Sequence, residues 1–412
     1  MKKYLFSLTL LASLAHAVEP IPENEKTARL LEGQKEITSL TEIQKRGLNS
    51  GKTTLDLWSG NFWPHYHGLL AARYRDPHFA VLNRPDPTEE QAKAIFKKYK
   101  ELKTKHPLYA YSGKEDILSP AEKYDLLVGD PQMTLTKYST KLSDESEMNE
   151  WRGICDGWAA AAQKMPRPVK KVTLKTPSGI PVTFYPEDIK ALGSLLYARA
   201  QDEVIFLGER CTGGMFKSGC KGTNPGTLHR ALVNRVGNLG KTFIADVSPG
   251  GAVWNYPVES YTLTYYNVFT DEDGATFQDA LELFDKKKGF KNADKRHKST
   301  YAIVGVTAVV NYKNMRPANL LDTDGPENDK ILTKTYYYDL ELDRNMNILG
   351  GEPVEKNMPD FIWAPTDTAY PQTVVEKFAD GSSTLVKLSQ DSAKYGQPLT
   401  AIVEKLFEAS KK

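Results

Sequence analysis

The chain changes character at residues 252–269, which read AVWNYPVESYTLTYYNVF. This run and two later ones, STYAIVGVTAVVNY (299–312) and KTYYYDLELD (334–343), are rich in the aromatic and β-branched residues that favour strands. Upstream, apolar residues recur at helical spacing instead, as in PTEEQAKAIFKKYKEL (87–102), SPAEKYDLLVGD (119–130) and PEDIKALGSLLYARA (186–200). Helices followed by strands predict an α+β fold, with a helical part first and an antiparallel β-sheet after it.

Three more elements complete this outline. A third helix is expected through the Glu145–Met165 region, and VTLKTPSGIPVTFY (172–185) predicts a β-hairpin around Pro-Ser-Gly. A further helix is expected to start at Asn224-Pro225 and to end at Gly237 or Gly240. The segment MRPANLLDTDGPENDK (315–330) reads as a loop between strands.

Length and composition exclude several classes of protein. The chain has 412 residues, of which 40% are hydrophobic and 26% charged, as in ordinary globular proteins that bury a large core. The 54 basic residues nearly match the 52 acidic ones, so nothing indicates a partner such as nucleic acid or an anionic membrane.

The first 17 residues, MKKYLFSLTLLASLAHA, have the layout of a secretory signal peptide. Lys2 and Lys3 precede an apolar run, and Ala15 and Ala17 stand at −3 and −1 of a cleavage site. The apolar run is too short to span a bilayer, and no later stretch approaches 18 apolar residues. We therefore expect an exported protein without a membrane span, either extracellular or periplasmic.

The rest of the chain divides into three predicted parts. Residues 18–54 are polar and form either a helical arm or a removable pro-segment, which the sequence does not separate. Residues 55–365 form the main domain, helical over 55–240 and β-rich over 241–365. Residues 366–412 are a C-terminal extension with a terminal helix.

The expected export bears on the three cysteines, because disulfides form outside the cytoplasm. Cys211 and Cys220 flank a glycine-containing loop, CTGGMFKSGC, and we expect them to form a disulfide in an oxidising compartment. Cys155 is then the odd cysteine, and the alternatives for it are a reactive thiol, an inert buried cysteine or an intermolecular disulfide.

Cys155 lies in WRGICDGWAAAA (151–162), where the alanine run predicts a buried helix with Cys155 in its first turn. The N–H groups and the positive dipole end of a helix favour a thiolate there, as a nucleophile requires. Asp156 opposes this effect, because a negative charge beside the thiol raises its pKa.

A cysteine nucleophile needs a base, and the sequence offers two sets of histidines. His229 is expected on the helix after the disulfide loop, and Asp246 ends the strand-like run FIADVS (243–248), where its carboxylate could orient the imidazole. Cys155, His229 and Asp246 follow the chain order of papain-like and transglutaminase triads. The alternative places the base at His65 or His67 in WPHYHG, and makes His229 structural. No set of residues predicts a metal site.

Several segments together resemble the oomycete transglutaminase elicitor family. Val253-Trp254-Asn255 followed by Pro257-Val258 is similar to the family's surface peptide Val-Trp-Asn-x-Pro-Val, which plants recognise. The other matching segments, spread over roughly residues 55–365, are NFWPHYHG, SPAEKYD, WRGICDGWAAAA, TNPGTLHRALVNRVG, FIADVS, YYYDLELD, ILGGEP and DFIWAP. The leader is typical of a bacterial homologue.

The resemblance implies a papain-like active-site arrangement and a protein-glutamine γ-glutamyltransferase that cross-links glutamine to lysine in protein substrates. Cys155 would be the nucleophile, His229 the base and then acid, and Asp246 its orienting partner. Trp254, Asn255 and Pro257 would belong to an elicitor-like or substrate-binding peptide, although Tyr256 departs from the family's peptide. No cofactor is required; the resemblance also raises calcium, but the loops 271–279 and 322–329 do not complete an EF-hand pattern.

Two other functions remain open at this stage. The same scaffold could act as a cysteine-dependent deamidase or peptidase if water replaced the amine. It could also serve as a non-catalytic surface protein, although the cysteine and the histidine are both present.

Overall fold

The computed structural model describes residues 21–83, 87–144, 148–199, 204–211, 222–248, 250–355, 357–366 and 382–411. The predicted signal peptide and Cys220 lie outside these residues. Within the described part of the chain, no helix is long and apolar enough to span a membrane.

The fold is α+β, as predicted, with a large antiparallel sheet in the second half of the chain. The strand order is β11-β10-β9-β6-β5-β12-β4, while β1, β7 and β8 pair at its margins and β2-β3 form a separate hairpin. The strands are β1 (Ser50–Lys52), β2 (Val172–Lys175), β3 (Pro181–Phe184), β4 (Val204–Gly208), β5 (Ile244–Asp246), β6 (Asn255–Tyr266), β7 (Asp273–Gly274), β8 (Glu282–Leu283), β9 (Ala302–Asn314), β10 (Lys330–Leu342), β11 (Ile348–Pro353) and β12 (Phe361–Pro365).

In the described part of the chain, most helices precede the long strands of the sheet and two follow them. The helices are α1 (Leu40–Lys45), α2 (Glu89–Lys105), α3 (Pro120–Val128), α4 (Thr134–Asp144), α5 (Cys155–Lys164), α6 (Pro186–Arg199), α7 (Pro225–Ala231), α8 (Ser382–Lys394) and α9 (Thr400–Ser410). A π-helical segment, Leu232–Asn238, continues α7.

Two hydrophobic clusters cover opposite faces of the sheet at β5 and β12. Ile244 and Trp363 belong to the cluster formed with α5, α6 and α9, which we call the helix-face cluster. Ala245 and Ile362, the next residues along the two strands, belong to the cluster formed with α1, α7 and the N-terminal segment, which we call the arm-face cluster. Successive strand residues point to opposite faces, so the two clusters lie on the two sides of the sheet.

Most predicted elements are confirmed, but the helix through 145–165 is wrong. The helix begins only at Cys155, and an unpredicted helix, α4, ends at Asp144. The backbone before Cys155 instead runs beside another segment: the Ile154 N–H donates to the Phe62 carbonyl over 2.7 Å. A Cβ at Gly153 would stand 2.4 Å from that carbonyl oxygen, so only glycine permits this approach.

The described part of the predicted arm or pro-segment packs into the fold. Leu30, Leu40 and Ile43 are fully buried in the arm-face cluster. The predicted terminal helix is present as α9, whose Val403 and Phe407 are fully buried in the helix-face cluster. Both ends of the described chain therefore contribute to the core.

Candidate functional site

Cys155 stands at the first position of α5 and is held there by close packing behind it. A Cβ on Gly157 would lie 2.1 Å from the Ser194 carbonyl, so α5 and α6 approach each other at a position that admits only glycine. The side chains of the alanine run are buried between these helices and the sheet. This packing fixes the start of α5 against the start of β6, and the thiol contacts that strand.

The thiol is enclosed by the start of β6. Cys155 is 6% exposed, and its Sγ lies 3.6 Å from the Val253 carbonyl oxygen, to which the thiol donates. The Asn255 carboxamide donates from Nδ2 to Sγ over 3.5 Å. Within the described residues Cys155 is a free thiol, as predicted.

Burial sets the protonation state of this thiol. It raises the pKa of Cys155 to about 12, and the charges of Asp156 and Asp246 act in the same direction, while the hydrogen bonds from Asn255 oppose them. The expected stabilisation of a thiolate by the helix start is therefore outweighed. The effect predicted for Asp156 is confirmed.

Asp246 lies on the same face of the sheet as Ile244, at the end of β5, and is fully buried. Its Oδ1 accepts hydrogen bonds from the Trp254 N–H and from the Ser248 hydroxyl, both over 2.9 Å. Its Oδ2 is buried and has no hydrogen-bond partner among the described residues. Burial raises the pKa of Asp246 to about 6, so the carboxylate is ionised at neutral pH.

The structure brings Cys155 and Asp246 together but does not bring His229 to them. His229 is fully buried on α7, where its neighbours Leu228 and Leu232 belong to the arm-face cluster. Its Nδ1 lies 3.0 Å from the Tyr338 hydroxyl, and burial lowers its pKa to about 3. Among described residues, no hydrogen bond or ion pair joins it to Cys155 or Asp246, and its Nε2 has no partner.

The WPHYHG segment lies close to the backbone that precedes Cys155. The His65 N–H donates to the Arg152 carbonyl over 3.0 Å, so this segment runs beside the residues that lead into Cys155. Burial lowers the pKa of His65 to about 4, and Arg199 and Arg152 lower it further. His67 Nε2 lies 3.0 Å from the Leu82 carbonyl oxygen, which occupies that ring nitrogen.

The elicitor-like peptide is mostly not a surface peptide here. Asn255 and Pro257 are buried in β6, and Trp254 is half-buried with its ring edge-on to Phe62, 5.3 Å between centroids. Pairing in the sheet explains this placement, because Asn255 stands directly opposite Asp246, and Pro257 opposite Ile244.

Sequence reasoning missed two contributions to the site. Asn255 was expected only as part of the elicitor-like peptide, yet its side chain contacts the thiol. Trp363 was not expected in the site, yet its indole N–H donates to Asn255 Oδ1 over 2.8 Å. The signal available in the sequence was the polar Asn255 in an otherwise strand-like run. The pairing of β5 with β6 and β12, which brings these side chains together, is not readable from the chain order.

Of the two cysteines in the predicted disulfide, Cys211 is among the described residues and Cys220 is outside them. Cys211 is buried, and its backbone N–H donates to Asp360 Oδ2 over 3.2 Å. Its pairing with Cys220 stays a prediction.

No group of three or more histidine, cysteine or acidic side chains in the described ranges is arranged to hold a metal ion. In the loop 322–329, Asp324 and Asp329 are committed to cations: Asp324 pairs with Lys190 and Asp329 with Arg167. Their carboxylates compensate buried charges of the protein itself.

Comparisons with known proteins bear on the fold and the family of this chain. The crystal structure of the GP42 transglutaminase from Phytophthora sojae matches with a TM-score of 0.60 and 20% sequence identity, covering 94% of this chain and 98% of that chain. At that identity the match shows a shared fold. No curated protein is significantly similar in sequence. The family model for the transglutaminase elicitor family matches residues 33–390, and the chain belongs to that family.

Proposed function

We propose that this protein is a transglutaminase that uses Cys155 to join protein glutamine to lysine through a thioester. The observation that carries the proposal is the free, buried thiol at the start of α5 in a member of the transglutaminase elicitor family. The thiol contacts Asn255, which stands opposite the ionised carboxylate of Asp246 in the sheet. A nucleophile and a proton acceptor in one water-poor site are what acyl transfer requires.

In the first half-reaction, Cys155 Sγ attacks the carbonyl carbon of a glutamine γ-carboxamide. A thiol with a pKa of about 12 keeps its proton at neutral pH, so the proton leaves during attack, and Asp246 is the proposed acceptor. The tetrahedral intermediate expels ammonia, which carries this proton away, and a γ-glutamyl thioester remains on Cys155.

In the second half-reaction, a neutral lysine amine attacks the thioester carbonyl. An isopeptide bond forms, the carbon–sulfur bond breaks, and Asp246 transfers the amine's proton to the departing sulfur, which restores the thiol. The burial of Cys155 favours this outcome over hydrolysis, because water is excluded from the sulfur.

The natural substrates would be proteins carrying accessible glutamine and lysine, and no cofactor is assigned a role. We also propose that the protein is exported after removal of residues 1–17 and that Cys211 pairs with Cys220. Determining the N-terminus of the secreted protein and mapping its peptides without reduction would test both points.

The central experiment measures incorporation of a labelled primary amine into a glutamine-containing protein by the purified mature chain. Cys155→Ala should abolish incorporation and leave the fold intact, since it removes only a sulfur atom. Cys155→Ala activity above a tenth of wild type would exclude Cys155 as the nucleophile. Ammonia released without amine incorporation would show a deamidase, and no turnover of either kind would show a non-catalytic member of the family.

A further inference from the structure

Asn255 supplies the thiol with two neutral hydrogen-bond donors, its backbone N–H and its side-chain carboxamide, and of these a substitution can remove only the carboxamide. Its Nδ2 lies 3.5 Å from Cys155 Sγ, and its Oδ1 accepts from Trp363 Nε1 over 2.8 Å. Both side chains are buried, with Asn255 4% and Trp363 9% exposed. The carboxamide therefore bridges the sulfur and the indole.

The indole determines which end of the carboxamide faces the sulfur. An indole N–H can only donate, so its partner must be the amide oxygen, and the amide nitrogen is then left facing Cys155. A carboxamide turned the other way would set two donors against each other at Trp363 and place an oxygen against the sulfur. A buried donor left without an acceptor is unfavourable enough to hold the carboxamide in one orientation.

Sheet register brings these groups to the same point. Asn255 on β6 pairs with Asp246 on β5, so their side chains share one face, and Trp363 on β12 lies beside Ile244 on the far side of β5. The indole reaches past the short strand β5 to the carboxamide. Three consecutive strands of the sheet thus converge on the thiol at the start of α5.

We propose that Asn255 is a catalytic donor that stabilises the developing thiolate of Cys155, and that Trp363 is the positioning residue that keeps the Asn255 amide nitrogen turned toward the sulfur. The proposal rests on Cys155 being the nucleophile. Negative groups otherwise surround the sulfur: Asp156 from α5 and Asp246 from β5. The Tyr256 phenol of β6 has its pKa raised above the usual range and stays neutral. A fixed donor is the means by which this site offsets those charges.

The test measures the rate at which iodoacetamide alkylates Cys155 across pH, with the modified peptide identified by mass spectrometry. The reaction needs neither glutamine nor amine, so its result is independent of transglutaminase turnover. Asn255→Ala and Trp363→Phe should each slow alkylation about tenfold at pH 8, the scale of one lost hydrogen bond to a charged atom. The double variant should be no slower than either one, because both remove the same interaction.

Trp58→Phe is the matched control. It also lies in the helix-face cluster and loses an indole N–H bond, to the Met165 carbonyl, without touching the thiol. Trp58→Phe should lower the melting temperature about as much as Trp363→Phe does. Its rate of Cys155 alkylation should equal that of wild type at every pH. Asn255→Asp should react more slowly than Asn255→Ala, since it sets a carboxylate against the sulfur.

Two results would overturn the inference. Trp363→Phe alkylated at the wild-type rate would remove the positioning role, and Asn255→Ala alkylated at that rate would remove the donor role. If the variants show the expected alkylation rates but the wild-type chain does not incorporate amine, this inference is retained and the proposed function is rejected.

Discussion

Cys155 and Asp246 each carry a pKa displaced in the same direction by burial. A thiol at about 12 and a carboxyl at about 6 exist at neutral pH as a protonated thiol and an ionised carboxylate. This is the reverse of a preformed thiolate–imidazolium pair, and it makes proton transfer part of the attack itself. The residue that sets the pH dependence of such a reaction is the carboxylate.

The first prediction therefore concerns the acid limb of the rate profile. Amine incorporation should fall as the pH drops through about 6, by about tenfold per pH unit below that value, because the protonated Asp246 cannot accept the thiol proton. Asp246→Asn should lose most of the activity and show no such limb. A wild-type profile without an inflection between pH 5 and 7 would contradict this assignment.

The same substitution has a predicted effect on stability. The folded-state pKa of Asp246 is raised above that of the unfolded chain, so ionisation destabilises the fold as the pH rises from about 4 to 6. Asp246→Asn should then be about 2–3 kcal/mol more stable than wild type at pH 7, and the difference should vanish near pH 4. Urea denaturation at both pH values measures this, and equal stability at pH 7 would contradict it.

The next prediction separates His229 from the site. Its folded-state pKa of about 3 lies below the unfolded value, so its stabilising effect is present above about pH 6.5 and is lost as the pH falls toward 3. His229→Asn, which keeps a side-chain nitrogen near the Tyr338 hydroxyl, should incorporate amine at the wild-type rate. Between pH 7 and 5 the variant should lose about 2 kcal/mol less unfolding free energy than wild type loses, because no imidazole has to be protonated.

His65→Asn, measured in the same way, is the companion variant, because the WPHYHG segment runs beside the backbone before Cys155. A fall of several orders of magnitude in the rate of His229→Asn, with the fold intact, would restore the triad that the family resemblance implies. The same fall in His65→Asn would move the base to that segment.

At the scale of elements, the sequence correctly predicts the helices and strands whose positions depend on local residue patterns. The hairpin around Pro177, the capped helix after Ser119 and the long strands β6, β9 and β10 follow from turn residues, caps and alternation. The broad helix through 145–165 is wrong, because the backbone before Cys155 runs beside Phe62, an approach that Gly153 permits. The narrower prediction from residues 151–162, a helix with Cys155 in its first turn, is confirmed by α5.

The site divides along the same line. Cys155 and Asp246 are readable because each ends or begins an element with a chemistry-bearing side chain. The order of residues along the chain also suggested His229 as the base. That order does not tell which face of the sheet a helix packs on, and α7 packs on the face opposite to α5. Asn255 and Trp363 enter the site only through strand register, which depends on the whole sheet.

The N-terminal segment gives a prediction at this scale. Leu40 of α1 is fully buried in the arm-face cluster, whereas Lys45 of the same helix is exposed. Leu40→Ala should cost about 2–5 kcal/mol of unfolding free energy, and Lys45→Ala should stay within about 0.5 kcal/mol of wild type. Unfolding in urea compares them. A chain lacking residues 18–49 with undiminished stability would show a removable pro-segment.

At the scale of the whole molecule, buried ion pairs connect the helical part to the sheet. Arg167, which follows α5, donates to Asp329 before β10, and Asp329 also accepts from Lys313 at the end of β9. Nearby, Lys190 of α6 pairs with Asp324, and both are almost completely buried. Each charge in this network compensates another, so removing one leaves a buried charge with fewer partners of opposite sign.

The last prediction follows from that dependence. Arg167→Met should lower the unfolding free energy by about 3–5 kcal/mol, because Asp329 would keep only Lys313 as its cationic partner. Lys171→Met is the matched control: its pair with Asp322 is about half exposed, and its loss should cost much less stability than the loss of Arg167. Adding Asp329→Asn to Arg167→Met should restore part of the lost stability, since it removes the charge left behind. Denaturation followed by fluorescence and by circular dichroism gives these values. An Arg167→Met protein as stable as the Lys171→Met protein would show that the Arg167–Asp329 pair does not stabilise the fold.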